Sequence, residues 1–443
     1  MDSERNRYIW CGLKIHATKY NGRLNKKQSH SRYFFLPKGP AKYNFLQKVI
    51  HSHSPSKGAP MTLQAIRSQL PIVQDCLYFN TGGIAPSLSV VTDAFHQYYD
   101  NIARSGPPLI LDYAANVAQM EDARRRIASF LGIDTNDLCL TRGVTDGVHL
   151  VFNGFDWNAG DELILTDEEH PAVQVPADRL AAACGVKLKQ MTLSDDPDEM
   201  LRRFRELITP RTRLAALSHV TTDTGTRLPV EAIIKVAHEH GFPVLLDGAQ
   251  SLGQFPVDVA ALDVDFYSYL AYKWMFGPFS TGGLYIARPW QTKLKLVPTG
   301  RQPDQVLAEP SKDGARRFEI GQLTQPLYLG TAAAVDFIQE IGLKEIERES
   351  GRRSALLCEG LRTIPGLTIH SPAPPVGSPG ITAFSVSGIE GTHINTKLRE
   401  RSMIPRPTGL KFSGVRVSVA LFTTEGEIEA LVNTVGEIVA ESH

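Results

Sequence analysis

From residue 61 onward the chain alternates short β-rich runs with helical segments, and few architectures accommodate that order. A helix between two strands returns the chain in its original direction, so repeats of the unit build a mainly parallel sheet covered by helices. The β-rich runs are residues 137–141, 162–166, 214–220, 242–246, 264–269 and 283–287, with helical stretches at 180–184, 200–207 and 230–240. After Gly321 the order changes to one long helix over about 327–362, short strands at 381–386 and 415–419, and a last helix from Glu425. The expected fold class is α/β: a large domain over 61–325 with a mainly parallel sheet, and a smaller α+β C-terminal domain over 326–443. Two cores suit a chain of 443 residues, since single cores stop growing near roughly 250–300 residues.

The first 60 residues stand apart. They hold twelve Lys and Arg against Asp2 and Glu4, show little amphipathic periodicity, and read as a basic, poorly ordered extension ahead of Met61. Over the whole chain 47 basic residues balance 47 acidic ones, so no excess charge suggests nucleic acid or an acidic partner. Five scattered cysteines, Cys11, Cys76, Cys139, Cys184 and Cys358, form no C-x-x-C pair. That argues against a disulfide framework or a metal site and for a reducing compartment, the cytoplasm. No apolar run approaches the roughly 18 residues of a membrane span, so no membrane partner is expected.

Parallel sheets bind ligands at the carboxyl ends of their strands. The run 242–246 leads into Asp247-Gly248-Ala249-Gln250, and about 26 residues later the run 264–269 ends near Lys273. An acid and a lysine at two strand ends meet the needs of a pyridoxal 5'-phosphate (PLP) site. The carboxylate keeps the pyridine nitrogen protonated, while the amine binds the aldehyde and later moves protons. Each residue alone is a weak pointer, because a strand-end Asp more often caps a loop and most lysines are solvated. The segment Thr141-Arg142-Gly143-Val144-Thr145-Asp146-Gly147 opens a helix whose free N–H groups and positive end suit a phosphate, aided by the Thr145 hydroxyl. A capped glycine turn is the competing reading. His170 lies just past a strand end, where an imidazole can lie flat on an aromatic cofactor or serve as an ordinary polar loop residue.

Further motifs fall in a recognisable order: Tyr78-Phe79-Asn80-Thr81-Gly82-Gly83, Glu169-His170, Ser218-His219-Val220, Tyr272-Lys273-Trp274 with Gly277-Pro278, Arg317-Phe318-Glu319 and Val415-Arg416-Val417-Ser418. With these the chain resembles the class V aminotransferase family from about Leu70 to its end. These are fold-type I PLP enzymes that include cysteine desulfurases, cysteine/cystine C–S lyases and isopenicillin N epimerase-like proteins. The resemblance implies that Lys273 is the Schiff-base lysine, Asp247 the partner of the pyridine nitrogen and His170 the ring-stacking residue. It places Gln250 on the cofactor's phenolic oxygen, Val144 and Thr145 on its phosphate, and Arg416, with Gly82, at the substrate α-carboxylate. A guanidinium suits that last task because two parallel hydrogen bonds orient the acid. Thr222 stands where many relatives carry an asparagine near the ring, and Tyr272 where the family usually places histidine before the lysine. Both are counted as cofactor contacts. Leu270 takes a position often held by a small hydroxyl residue.

A small amino acid is the implied substrate, and a homodimer with the site at the subunit interface is the implied assembly, residues 317–324 being the candidate contribution to the partner. Cysteine desulfurases need a nucleophilic cysteine on a loop ahead of the carboxylate-binding arginine. Residues 402–410 contain none, and Cys358 lies on the expected long helix. The expected reaction is therefore β-elimination from cysteine, cystine or a cysteine S-conjugate. Epimerisation or transamination of a specialised amino acid remains open, as does a non-catalytic binding role. Side-chain recognition falls to loops, with 105–113 and 299–314 as candidates.

Overall fold

The computed structural model describes residues 61–296 and 314–442. The basic extension over 1–60, and 299–313 of the candidate substrate loop, lie outside the described residues. The strands in chain order are β1 (Leu77–Tyr78), β2 (Leu138–Thr141), β3 (Glu162–Thr166), β4 (Lys187–Met191), β5 (Thr212–Ser218), β6 (Val244–Asp247), β7 (Phe266–Leu270) and β8 (Gly282–Ile286). They are followed by β9 (Leu367–Ile369), β10 (Ile381–Val386), β11 (Met403–Ile404), β12 (Arg406–Thr408) and β13 (Gly414–Ser418).

Strands β2 to β8 make one seven-stranded sheet in the order β2-β8-β7-β6-β5-β3-β4. Only β8 runs against its neighbours. Two antiparallel steps restore the direction, so β2 points the same way as β7. The carboxyl ends of β2, β3, β5, β6 and β7 therefore share one edge of the sheet.

Alternate side chains of these strands enter different cores. Ile164, Leu217, Leu246 and Tyr267 pack on one face, while Leu163, Ala216, Leu245 and Phe266 pack on the other. A strand covered on both faces must be apolar throughout, which is why the runs read as continuous. The edge strand β4 breaks that rule and was not among the expected strands. Lys187 and Lys189 flank Leu188 there, and lysines on a sheet edge discourage pairing with another chain.

In place of one helix over 327–362 there are two, Gln325–Ile341 and Leu343–Leu361. They break at Gly342, whose φ of 89° is a conformation that glycine adopts without a Cβ clash. The first packs on helices Ser89–Ser105 and Tyr113–Leu131 and sends Tyr328, Val335 and Ile338 into the core of the large sheet. That core thus reaches past residue 325, through Ile346 at the start of the second helix, and takes in Ile381, Ala420, Leu421 and Phe422 as well. The second helix contributes Leu357 and Leu361 to a separate core, shared with helices Gly391–Glu400 and Glu425–Ser442 and with an antiparallel sheet ordered β12-β13-β10-β9. Phe79 joins this core from the other end of the chain, beside the parallel pair of β1 and β11. Among the described residues no helix is long and apolar enough to cross a membrane, and no group of His, Cys, Asp and Glu is arranged to hold a metal.

Candidate active site

Four of these strand ends, those of β2, β3, β6 and β7, and their following turns deliver polar residues to one cleft of about 290 Å³. Asp247 closes β6, and the backbone N–H of Ala249 donates to its carboxylate at 2.8 Å. Gly248 between them lies against Tyr267, where a Cβ would sit only 2.2 Å from the ring. Lys273 follows β7 in a turn closed by Gly277 N–H donating to the Ala271 carbonyl at 2.8 Å. Both side chains are buried and line the cleft. Val144 and Thr145 begin the helix Val144–Gly154, in the first turn, where N–H groups have no carbonyl four residues back. They offer donors and the positive end of the helix dipole to an anion. Asp146 faces Arg142 instead, accepting from its guanidinium at 2.7 and 2.8 Å, so this acid is neutralised beside the anion cradle.

His170 is the N-cap of helix Pro171–Cys184, and its Nδ1 accepts the Ala172 N–H at 3.0 Å. The remaining ring proton therefore sits on Nε2. Burial, helped by Lys273, Arg406 and Arg416, pushes the imidazole pKa down to about 4, so the ring is neutral near pH 7. Burial likewise lowers the Lys273 amine to about 7, with Arg416 adding repulsion against the attraction of Asp247. Burial pushes the Asp247 carboxyl up, against the Ala249 N–H and the charge of Lys273. The Lys273 value yields a direct expectation. In the cofactor-free protein, acylation of Lys273, followed by mass spectrometry, should rise with pH around a midpoint near 7. A midpoint near the ordinary lysine value of 10.5 would contradict this environment.

Arg416, Thr222, Gln250 and Gly82 form a buried cluster next to the cleft rather than on its wall. Arg416 is fully buried, and its Nη1 donates to the Thr222 carbonyl at 2.7 Å and to the Thr222 hydroxyl at 3.2 Å. Its Nε and Nη2 have no partner. An unpaired buried donor costs about 1–3 kcal/mol, and more when charged, so two on one guanidinium are donors that an anion could satisfy. Gly82 leaves room for it: a Cβ there would stand 3.3 Å from Arg416 Nη2 and 3.2 Å from Gln250 Oε1. The Gln250 amide donates to the Gly82 carbonyl at 2.9 Å, with Thr222 Oγ1 at 3.4 Å. Trp274 decides that orientation by donating its indole N–H to Gln250 Oε1 at 2.8 Å. Tyr272 lines the cleft, its ring 4.7 Å from that of Phe279.

One site residue escaped the sequence reading. Arg406 lines the cleft, and its strand position lies opposite Arg416 in the β12–β13 ladder. The signal was present as a second arginine ten residues before Arg416, but only strand pairing brings the two together.

Comparison with known proteins gives the site its context. The profile of the family described as Aminotransferase class-V matches residues 77–431. The chain belongs to that family. Among the family's curated members it is 31% identical to the cysteine desulfurase of Cronobacter sakazakii over 402 residues, covering 84% of this chain and 97% of that protein. It is 27% identical to a probable cysteine desulfurase of Vibrio cholerae, covering 86% and 99%. Solved structures of the same fold include the cystine C-S lyase C-DES in complex with its product cysteine persulfide, with a TM-score of 0.77, 28% identity and coverage of 83% and 99%. A mutant of that lyase has glycine covalently linked to its PLP cofactor. The cysteine desulfurase CsdA of Escherichia coli gives 0.75 and 26%, covering 86% and 99%. The family resemblance and the α/β fold expected from the motifs are thus borne out.

Proposed function

We propose that this chain is a PLP-dependent enzyme that breaks the C–S bond of cysteine, cystine or a cysteine S-conjugate by β-elimination. The observation that carries it is the buried pair Asp247 and Lys273 in one cleft, with the buried Arg416 guanidinium, two of its nitrogens unpartnered, beside it. The named activities of the relatives, cysteine desulfurases and a cystine C-S lyase, support the substrate class.

The donor set fits the cofactor. Val144 and Thr145 would hold the phosphate, with Tyr272 beside them, and Asp247 the pyridine nitrogen. His170 would lie against the ring, Gln250 would reach the phenolic oxygen, and Lys273 would be the point of attachment. Bound there, PLP supplies an electron sink for the bond broken at the substrate α-carbon. With its amine held near neutrality, Lys273 suits proton transfer at that carbon around pH 7. Arg416, backed by Thr222 and given room by Gly82, orients the α-carboxylate. Arg406 adds a second positive charge, which suits a substrate with two carboxylates such as cystine.

None of the four cysteines among the described residues lines the cleft. Cys139 is buried within β2, and Cys358 faces Thr382 at 3.9 Å. Among the described residues no thiol is placed to take up the sulfur, which supports its release with the leaving group. Pyruvate and sulfide assays on purified protein, with L-cysteine, L-cystine and S-conjugates offered in turn, test this reading. Pyruvate release supports it, and Arg406→Ala should then raise KM for cystine by about tenfold more than for cysteine. Exchange of the α-proton without pyruvate would assign an epimerase instead, and conversion that depends on a keto acid an aminotransferase.

The same reading includes a large part and a C-terminal α+β part, the latter resting on the separate antiparallel sheet and core. It includes a homodimer in the cytoplasm. Ile84 and Phe279 at the cleft, together with Ile110 and Leu111, are large apolar side chains left uncovered, as an interface would require. The segment 317–324 is the proposed contribution to the neighbouring site.

A further inference from the structure

Both arginines of the site ride on one hairpin. Arg406 of β12 is the register partner of Arg416 of β13, so their side chains leave the same face, and residues 409–413 join the strands. The ladder between them is only three residues long. A shift of about 1 Å in a binding group can cost roughly 10²-fold. On its other side β13 pairs with β10, Arg416 opposite Ala383, so it is β12 and the hairpin tip that need holding from outside the sheet.

We propose that Asp223 is a positioning residue that clamps this hairpin and so sets the geometry of carboxylate recognition, a proposal that rests on the reading of Arg416 as the carboxylate site. The Asp223 side chain is buried, and its Oδ2 accepts the backbone N–H groups of Gly409 at 3.2 Å and Leu410 at 2.9 Å, at the hairpin tip. Thr222, immediately before it, is the residue whose carbonyl and hydroxyl hold the Arg416 guanidinium. Two consecutive residues thus grip the hairpin at its tip and at its working side chain. Glu168 holds that dipeptide in turn, accepting the N–H groups of Asp223 and Thr224 at 2.8 and 2.7 Å and the Thr224 hydroxyl at 2.7 Å. Since Glu168 lies two residues before His170, a continuous polar bridge links the proposed ring-stacking loop to the carboxylate site. A second tie, Lys411 to Asp167 at 2.5 Å, is partly exposed, so it is the weaker of the two.

The test is a titration of the PLP-loaded protein with glycine and with methylamine, following the cofactor absorbance. Only glycine carries a carboxylate. Asp223→Ala should weaken glycine binding about tenfold or more while leaving methylamine within about twofold. Asp223→Asn, whose amide oxygen can still accept both N–H groups, should keep glycine within about threefold of the parent protein. Should the alanine variant not fold, Asp223→Ser, too short to reach both N–H groups, carries the same expectation. Unchanged glycine binding, or equal weakening of both amines, would overturn the clamp. The titration needs no C–S cleavage, so a protein that binds glycine tightly yet releases no pyruvate from cystine defeats the lyase reading and not this one.

Discussion

Lys273→Ala should lower kcat by about 10³-fold or more, because in the proposed function one side chain supplies both the cofactor attachment and the proton transfer at the α-carbon. The fold should survive, and its stability should carry the signature of a buried amine. The folded-state value, about 7, lies below the ordinary 10.5, so the unfolded chain binds the extra proton between those limits. Stability of the cofactor-free parent protein then rises with pH across that window. Below it the buried ammonium is a full liability. The cofactor-free Lys273→Ala protein should accordingly melt above the parent at pH 6, and the gap should close between about pH 7 and 10.5. Thermal unfolding at several pH values measures this. A gap that does not vary with pH would mean that Lys273 is solvated, and turnover above a tenth of the parent rate would remove it from the chemistry.

Arg416→Met should cost about 10²- to 10³-fold in kcat/KM. Two charge-assisted hydrogen bonds to a carboxylate contribute roughly 3–4 kcal/mol together, and each ~1.4 kcal/mol is a factor of ten. The loss should fall mainly on KM, since the proposed contact would be made in the ground state as well as in the transition state. Without ligand the same substitution should leave the melting temperature unchanged or raise it. The guanidinium is fully buried, burial lowers its pKa to about 9, and two of its nitrogens bond to nothing. Replacing such a charge with an apolar side chain of similar length removes a desolvation cost. Lower stability with intact substrate binding would mean that Arg416 is a structural residue. The opposite pairing is what a binding site held open at the expense of stability produces.

Much of this was legible in the residues. The strands β3 and β10 begin and end where the pattern places them, and the other core strands lie within two residues. A strand buried on both faces can hardly be written in any other residues. The edge strand β4 was not legible, because lysines on an exposed edge look like any solvated segment. The break at Gly342 was missed for a different reason: a glycine inside a helical pattern is tolerated often enough that its presence does not announce a positive φ. The extent of the first core was missed as well, since the surface on which helix Gln325–Ile341 packs is made by helices more than 190 residues earlier in the chain.

The chain's own order of residues determined the chemistry on offer: an acid ending one strand, a lysine after the next, glycine and threonine opening a helix, and an arginine in a late strand. These are local features, set by what can end a strand or begin a helix. Only the tertiary structure decided which of them meet. The antiparallel insertion of β8 still left β2 and β7 pointing the same way, so the anion cradle and Lys273 share one edge. The pairing of β12 with β13 brought Arg406 beside Arg416. Burial shifted the amine and the imidazole toward their neutral forms. Distance, dielectric and the loss of water depend on everything packed around a residue, and no stretch of sequence carries them by itself.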